Sequence, residues 1–217
     1  MSVDVGDIVA VGGDFKPTTL INAYRRGVFP WPIDGLPLLP WFCPKRRAVV
    51  DFEELHIPRS LARARRKLSF RFSLDAAFPS VIAHCATVPR ADQGTWISQE
   101  VITGYTALHK LGHAHSVEVW EGEELVGGVY GVEADGYFSA ESMFHTRSYA
   151  SKLALLFLFD HMKSKGCSWC DIQVLTPHMI GLGAKEISRK EFLQRIDEAR
   201  ARGVRIFDAP PKRASRL

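Results

Sequence analysis

Apolar and polar residues follow regular periods over the second half of the chain. Alternation over residues 115–120 and the apolar runs over 125–132 and 137–141 predict three β-strands. Short turns separate them, and the second turn contains the turn-forming pair Asp135-Gly136. Because such turns join only antiparallel neighbours, the pattern predicts a three-stranded antiparallel meander.

Helical periods flank this meander. Apolar residues over 97–111 recur at helical spacing until Gly112, and the strongly apolar stretch 148–163 predicts a buried helix. A strand is predicted over 168–175, and a last helix begins at Ser188, which is followed by a glutamate at capping-box spacing. Meander, helix, strand and helix is the order of acyltransferases of the GNAT type. The predicted fold class is therefore α/β, in the α+β sense, although many folds share parts of this order.

A proline-rich segment, YRRGVFPWP at positions 24–32, marks the N-terminal part of the chain. It follows a short helix predicted over 17–26, which Gly27 is suited to end. Each proline fixes φ, removes a backbone donor and favours an extended conformation in the preceding residue. Residues 28–32 are therefore predicted to form a stiff extended loop that can hardly pair as a strand. Its aromatic residues either cover a core or form the wall of a binding site.

Positive charge is concentrated between residues 45 and 71. The formal net charge of the 217 residues is only +4, but this stretch contains nine basic and three acidic residues, a local balance of +6. A helix predicted over 58–67 places Arg59, Arg63 and Arg66 on one face, because they are four and three residues apart. This stripe indicates either a phosphate-rich partner or a solvated helix face.

Length and composition are those of an ordinary globular protein. With 46% hydrophobic and 24% charged residues, 217 residues can form one sizeable domain with a small appendage. A boundary where the basic run ends predicts a small N-terminal domain of residues 1–67 and a larger domain of residues 68–217. The first residues include acids where a signal peptide needs basic residues, and no apolar stretch is long enough to span a bilayer. A cytoplasmic location is expected.

Three polar residues are candidates for chemistry. Asp171 and Gln173 lie on the same face of the strand predicted over 168–175. An acid and an amide in these positions indicate an active site, or two groups that satisfy loop backbone. Glu141 ends the third meander strand, where an ionised carboxylate can orient an amine or a hydroxyl, or form a surface salt bridge.

Several common kinds of site are disfavoured. Cys167 and Cys170 form a single C-x-x-C, with no second pair to complete a zinc site, and the histidines at 109, 113 and 115 have no carboxylate set beside them. The sequence contains no G-x-S-x-G, Walker A or G-x-G-x-x-G motif. A metal site is therefore not predicted, and hydrolase, nucleoside triphosphatase and dinucleotide-binding functions are disfavoured.

Short motifs spread over nearly the whole chain occur in an order that is specific to one family. They lie at 12–14, 24–31, 41–47, 94–97, 111–120, 127–131, 141–144, 151–152 and 171–174. In these motifs the sequence resembles the bacterial leucyl/phenylalanyl-tRNA protein transferases. The resemblance implies a small N-terminal domain against a GNAT-like catalytic domain. It also implies transfer of leucine or phenylalanine from aminoacyl-tRNA to a protein's N-terminal arginine or lysine, which marks the product for N-end-rule degradation. It implies no metal or coenzyme A, and from size we expect a monomer.

The resemblance also implies a role for individual residues. Asp171 and Gln173 correspond to a catalytic pair, and Glu141 to a carboxylate near the aminoacyl group. Asp171 could polarise Gln173, which would help to accept the amine proton, or a ribose hydroxyl of the tRNA could relay it. The remaining matches are Val129, Phe138, Leu155 and Leu158 for the amino-acid pocket, Trp31 and Trp96 for the donor's terminal adenosine and aminoacyl end, and Arg59, Arg63, Arg66 and Lys67 for the tRNA acceptor stem.

Some positions depart from the family pattern. Cys43 replaces a serine, and Val129 and Leu158 stand where larger methionine and phenylalanine are familiar, so the preference between Leu and Phe stays open. Two other functions stay open as well. The fold order alone suggests an acetyl-coenzyme A-dependent acetyltransferase, and the basic run alone suggests a non-catalytic RNA-binding protein.

Overall fold

A seven-stranded sheet is the centre of the computed structural model, which describes residues 5–33, 35–88 and 95–208. The strands are β1 (Ile8–Val11), β2 (Phe29–Pro30), β3 (Pro40–Phe42), β4 (Arg46–Asp51), β5 (Arg71–Leu74), β6 (Ala114–Glu121), β7 (Glu124–Ala134), β8 (Tyr137–His145), β9 (Trp169–Gln173) and β10 (Lys185–Ser188). The helices are α1 (Pro17–Tyr24), α2 (Arg59–Lys67), α3 (Phe78–Thr87), α4 (Gln99–Lys110), α5 (Ala150–Ser164), α6 (Pro177–Ile180) and α7 (Arg189–Arg202). A 3-10 turn, Val5–Asp7, precedes β1.

The large sheet has the order β10-β4-β9-β8-β7-β6-β5. Its strand pairs are antiparallel except β8 and β9, which are parallel and place Ser139 opposite Asp171. The predicted meander is confirmed as β6, β7 and β8, and the predicted helix and strand that follow it as α5 and β9. The fold class is therefore the mixed α/β one that the sequence predicted.

The N-terminal region contributes to both sheets. Strands β1, β3 and β2 form a separate three-stranded sheet, whereas β4 lies between β9 and β10 inside the large sheet. A division after residue 67 would separate β4 from both of its neighbours. The separate N-terminal domain of residues 1–67 stays a prediction.

The proline-rich segment differs from the prediction, because part of it pairs as a strand. Phe29 and Pro30 pair with Phe42 and Trp41 of β3. The Trp31 N–H donates to the Pro40 carbonyl at 3.1 Å, so the Pro30 nitrogen faces the open side of an edge strand, where no donor is needed. The segment is thus fixed in place more firmly than a free loop.

Two hydrophobic clusters lie on opposite faces of the large sheet. Alternation along β9 sends Trp169 into one cluster and Cys170 and Ile172 into the other. Helices α1, α3, α4 and α7 cover the first face, and α2 and α5 cover the second. We refer to these as the α4 face and the α5 face.

Local end signals also behave as predicted. Gly27 adopts a φ of +73° after α1, and the Ser188 side chain caps α7 by accepting the Glu191 N–H at 3.1 Å. Strand β10 and helix α6 were not predicted, since each has four residues and neither is long enough to display a period. None of the described helices is long and apolar enough to cross a membrane.

Candidate active site

Gln173 lies where the two parallel strands of the large sheet end their contact. Its side-chain amide nitrogen donates to Glu141 Oε1 at 2.6 Å and to Ser139 Oγ at 3.3 Å, both on β8. Strand β9 ends at Gln173, whereas β8 continues to His145. The structure therefore brings the predicted residues Gln173 and Glu141 into direct contact at the end of the paired part of the two strands. We call the place where β8 continues without β9 beside it the opening between β8 and β9.

The backbone of Gln173 is strained. Its φ of +64° lies in the left-handed region, which costs about 1–2 kcal/mol for a residue with a Cβ. The Gln173 N–H donates to Asp171 Oδ1 at 2.9 Å, and this bond helps to hold the conformation. Strain of this kind persists where the surroundings fix the backbone, and it is frequent at functional sites.

The Asp171 carboxylate accepts a hydrogen bond from the backbone N–H of Gln173 and none from the Gln173 side-chain amide. Its carboxylate is fully buried and forms a bidentate pair with Arg47, with Nε to Oδ1 at 2.8 Å and Nη2 to Oδ2 at 2.6 Å. Both oxygens of Asp171 are therefore engaged within the protein. Any polarisation of the Gln173 side-chain amide by Asp171 therefore acts through the backbone N–H and not through a direct hydrogen bond to the amide.

Arg47 is the largest fully buried side chain, and its charge is enclosed on all sides. Its guanidinium carbon lies 4.6 Å from the ring centroid of Phe29 and 4.4 Å from that of Phe192. Nη1 donates to the Gly27 carbonyl at 3.3 Å. Because a buried ion pair is tolerated only when its remaining groups are satisfied, Arg47 joins β4, β9, α7 and the proline-rich segment into one unit.

Glu141 is a neutral acid near pH 7. Burial raises its pKa to about 8, the nearby Tyr24 hydroxyl and the Gln173 amide lower it, and the charge of Asp171 raises it. Within the described residues, the buried Oε2 atom has no hydrogen-bond partner. A protonated Glu141 can donate a hydrogen bond, which differs from the acceptor-only carboxylate that the sequence analysis assumed.

Two buried tyrosines lie beside Glu141. The hydroxyl groups of Tyr24 and Tyr105 bond each other at 2.5 Å, and their rings meet edge to face. Burial raises the pKa of both hydroxyl groups, and the charge of Glu141 raises it further. Tyr137 donates a hydrogen bond to the Tyr24 carbonyl. These contacts tie the end of α1 to the polar residues of β8.

The predicted amino-acid pocket lies on the other side of the sheet from Glu141. Its four residues belong to the cluster on the α5 face, where each is 2% exposed or less. They come from β7 (Val129), β8 (Phe138) and α5 (Leu155, Leu158). The structure thus brings the four together, but on the far side of the opening between β8 and β9.

The two predicted tryptophans are on the α4 face. Trp31 and Trp96 are half-buried and pack against the cluster there. The Trp31 ring lies 6.2 Å from the rings of both Phe29 and Phe42. Gly94, which belongs to the predicted motif around Trp96, lies outside the described residues.

Helix α2 presents its predicted basic face to solvent. Arg59, Arg63, Arg66 and Lys67 are exposed, while Leu61 and Ala64 anchor the helix. Within the described part of the chain these four cations form no ion pair. Arg65, on the same helix, is instead paired with Asp160 of α5. The charge of the basic face is therefore available to a partner.

The sequence analysis missed Arg47 and the tyrosine pair. Arg47 appeared only as one of nine basic residues, and its position at the end of a resembling motif was the only signal that set it apart. Tyr24 opens one of the resembling motifs, but nothing in the sequence connects it with Tyr105, which is 81 residues away and meets it only in the folded chain. The described ranges contain no group of three or more His, Cys, Asp or Glu side chains that could bind a metal ion.

Two family models match this chain. One, described as leucyl/phenylalanyl-tRNA protein transferase, matches residues 49–197, and the other, the N-terminal domain of the same family, matches residues 13–45. The first of these covers more than half of the chain.

Curated relatives called leucyl/phenylalanyl-tRNA protein transferase are similar over most of the chain. The one from Shewanella loihica is 44% identical over 91% of this chain and 83% of its own. The one from Nitratidesulfovibrio vulgaris is 44% identical over 94% and 89%, and the one from Shewanella piezotolerans is 46% identical over 91% and 83%.

Similarity to solved structures is weaker. A GCN5-related N-acetyltransferase-like protein from Streptococcus suis gives a TM-score of 0.39 at 14% identity, over 79% of this chain and 64% of that one. L-PGS from Bacillus licheniformis gives a TM-score of 0.41 at 18% identity, over 61% and 48%.

Replacing Arg47 should destabilise the fold strongly. Arg47→Met leaves the Asp171 carboxylate buried without its partner, so we expect the free energy of unfolding to fall by about 3–5 kcal/mol. The neighbouring Arg46 is exposed and faces Glu186 at 3.4 Å, so Arg46→Met should cost less than about 1 kcal/mol. Urea unfolding of the two variants measures the difference. Equal losses would show that the buried pair does not hold the fold.

Glu141 should make the protein less stable as pH rises. Its pKa is about 8 in the folded protein against 4.5 as the ordinary value, so the unfolded chain loses this proton first. The stability of the protonated form is present below pH 4.5 and is lost as pH rises through 8. We expect the stability of Glu141→Gln relative to wild type to increase by about 2–4 kcal/mol as pH rises from 5 to 8.

Urea unfolding at several pH values tests this expectation. Glu123→Gln, at an exposed position in the turn before β7, serves as the control and should follow wild type at every pH. A constant difference between Glu141→Gln and wild type would contradict a raised pKa for Glu141.

Proposed function

The chain belongs to the leucyl/phenylalanyl-tRNA protein transferase family, and from this premise we propose that it moves leucine or phenylalanine to the N-terminal arginine or lysine of an acceptor protein. As a member of this family it is an aminoacyltransferase that acts on aminoacyl-tRNA and a protein. Membership follows from the family match over residues 49–197. The observation that carries our assignment of the active site is the contact between Glu141 and Gln173 at the opening between β8 and β9.

The reaction mainly requires positioning. An aminoacyl ester is already activated, so the protein has to hold an uncharged amine about 3 Å from the ester carbonyl. The Gln173 amide nitrogen donates to Ser139 and Glu141, which directs the amide oxygen to the other side of the group. We propose that this oxygen accepts a hydrogen bond from the attacking amine and orients its lone pair toward the carbonyl.

Glu141 would bind the donor. Its buried Oε2 atom has no hydrogen-bond partner of good geometry within the described residues. The hydroxyl groups of Tyr24 and Tyr105 interact with the same carboxyl group, so a ligand that bonds Oε2 would share it with these tyrosines. We propose that this atom bonds the α-amino group of the aminoacyl residue. As a neutral carboxyl it donates to the unprotonated amine, and this keeps the ester carbonyl in a fixed place relative to Gln173.

The hydrogen bonds of Asp171 within the protein favour a ribose hydroxyl of the tRNA, and not Asp171, as the group that takes up the amine proton. Amine attack forms the C–N bond, the ester C–O bond breaks, and the amine proton must reach the leaving ribose oxygen. Asp171 is fully buried, and Arg47 and the Gln173 N–H occupy its oxygens, so it does not face the amine. We therefore assign Asp171 as a positioning residue for Gln173. The neighbouring ribose hydroxyl of the tRNA takes up the amine proton and gives its own proton to the leaving ribose oxygen.

The opening between β8 and β9 would connect the two faces of the site. Trp31 and Trp96 pack on the α4 face, and Glu141 lies beside Tyr24 and Tyr105 of the same face, whereas Val129 and Phe138 lie on the α5 face. In this proposal the adenosine end of the donor lies near the tryptophans, and the leucyl or phenylalanyl side chain passes through the opening. An apolar pocket discriminates only by about 1–3 kcal/mol per methylene, which agrees with the use of two amino acids.

The cellular setting follows from these substrates. Aminoacyl-tRNA is a cytoplasmic substrate, so we propose a cytoplasmic enzyme. Addition of leucine or phenylalanine would give the acceptor an N-terminus that the N-end-rule pathway degrades. We propose that the protein acts as a monomer, with the exposed basic face of α2 holding the tRNA acceptor stem.

Transfer of labelled leucine from Leu-tRNA tests the proposed function. We expect label on a peptide that begins with arginine and none on a matched peptide that begins with glycine. No transfer to either, together with saturable coenzyme A binding or with equal binding of charged and uncharged tRNA, would overturn the proposal in favour of an acetyltransferase or an RNA-binding protein.

Shortening Gln173 should affect turnover and not tRNA affinity. Gln173→Asn retains an amide that tolerates the left-handed conformation but cannot reach across to Glu141, so we expect kcat to fall about tenfold or more. The control is Gln194→Asn on α7, far along the chain and exposed. Unchanged turnover of Gln173→Asn, with equal tRNA affinity, would remove Gln173 from the mechanism.

Neutralising the basic face should lower the salt dependence of tRNA binding. For Arg63→Gln combined with Arg66→Gln, we expect the slope of log K against log salt to decrease by about 1–2. Arg65→Gln is the matched control on the same helix, because Arg65 is paired with Asp160. A slope equal to that of wild type in the double variant would place the tRNA elsewhere.

A further inference from the structure

The chain between α7 and residue 208 packs against the predicted amino-acid pocket. Helix α7 ends at Arg202, Gly203 caps it with a φ of +63°, and the chain then turns back to the sheet. Ile206 and Phe207 are 0% and 3% exposed and belong to the cluster on the α5 face. We call residues 204–207 the C-terminal segment. It lies beyond residue 197, where the family match ends.

Polar contacts fix the backbone of this segment. The buried Glu133 carboxylate accepts the Ile206 N–H at 2.8 Å and the Phe207 N–H at 3.1 Å. A ring nitrogen of His161 lies 2.9 Å from the Ile206 carbonyl. A carboxylate whose two oxygens accept hydrogen bonds from two consecutive N–H groups holds these N–H groups in one geometry. Breaking the two hydrogen bonds would leave a buried charge unpaired.

The residues that hold the segment come from the same elements as the pocket. Glu133 is four residues from Val129 on β7, and His161 is three residues from Leu158 on α5. These spacings keep each pair on one face of its strand or helix. Any movement of the pocket walls is therefore coupled to the C-terminal segment.

Phe207 makes the direct contact with the pocket. Its ring lies 5.4 Å from that of Phe138, stacks on His115 at 4.0 Å and lies 5.2 Å from His161. Three rings thus enclose Phe207 and prevent it from moving away. Phe138 is 1% exposed and packs against Phe207, so the Phe138 side of the predicted pocket can enlarge only if Phe207 moves as well.

We propose that Phe207 is a positioning residue that fixes Phe138 and thereby sets the size preference of the donor pocket. This inference rests on the proposed function, because it takes Phe138 as a wall for the leucyl or phenylalanyl side chain. It assigns a role in donor selection to a part of the chain outside the family match.

The test compares two donors. Transfer from Leu-tRNA and Phe-tRNA to an arginine-initiated peptide is measured for wild type, Phe207→Leu and Phe207→Ala. We expect Phe207→Ala to raise kcat/KM for Phe-tRNA relative to Leu-tRNA about tenfold, since Phe138 can then recede and admit the larger side chain. Phe207→Leu, which retains more of the core volume, should shift the ratio in the same direction by less.

Two controls separate donor selection from a general loss of stability. Arg205→Ala changes an exposed side chain of the same segment and should keep the wild-type ratio. Phe78→Leu removes comparable volume from the core of the α4 face and should lower Tm while keeping the ratio. An unchanged ratio in folded Phe207→Leu and Phe207→Ala, with wild type active on both donors, overturns this inference alone. Absence of transfer by wild type overturns the proposed function itself.

Discussion

The buried pair of Arg47 and Asp171 is the interaction on which the arrangement of the site depends. Two opposite charges without solvent contact are stable only if every remaining donor and acceptor is satisfied. The Gly27 carbonyl, the faces of Phe29 and Phe192, and the Gln173 N–H meet this requirement. Because the pair and these groups together come from four different parts of the chain, the pair determines how the proline-rich segment, β4, β9 and α7 approach one another.

The strained residue of the site is held by this pair. Asp171 fixes the backbone N–H of Gln173, and the left-handed turn at Gln173 directs its side chain across to β8. Glu141 therefore receives a hydrogen bond in a buried place where its charged form is disfavoured, and its pKa rises to about 8. The buried ion pair of Arg47 and Asp171 and the Glu141 carboxyl group thus both contact one glutamine, the first at its backbone N–H and the second at its side-chain amide.

Local patterns predicted much of the fold. The meander, α5, β9 and the start of α7 were all recognisable, because strand alternation, helical period and end-capping residues are properties of neighbours in sequence. The pairing of Phe29 and Pro30 with β3 and the place of β4 inside the large sheet were not. Both depend on partners far along the chain, which a local period does not specify.

The sequence by itself determined the family resemblance, the mixed α/β class, and the candidate residues Asp171, Gln173 and Glu141, because these follow from residue type and spacing. Only the tertiary structure decided that Arg47 neutralises Asp171, that Glu141 is a neutral acid, and that Phe207 packs behind Phe138. The physical reason is that protonation and contact depend on burial and on the groups that surround a side chain. Those surroundings exist only after residues that are distant in sequence have packed together.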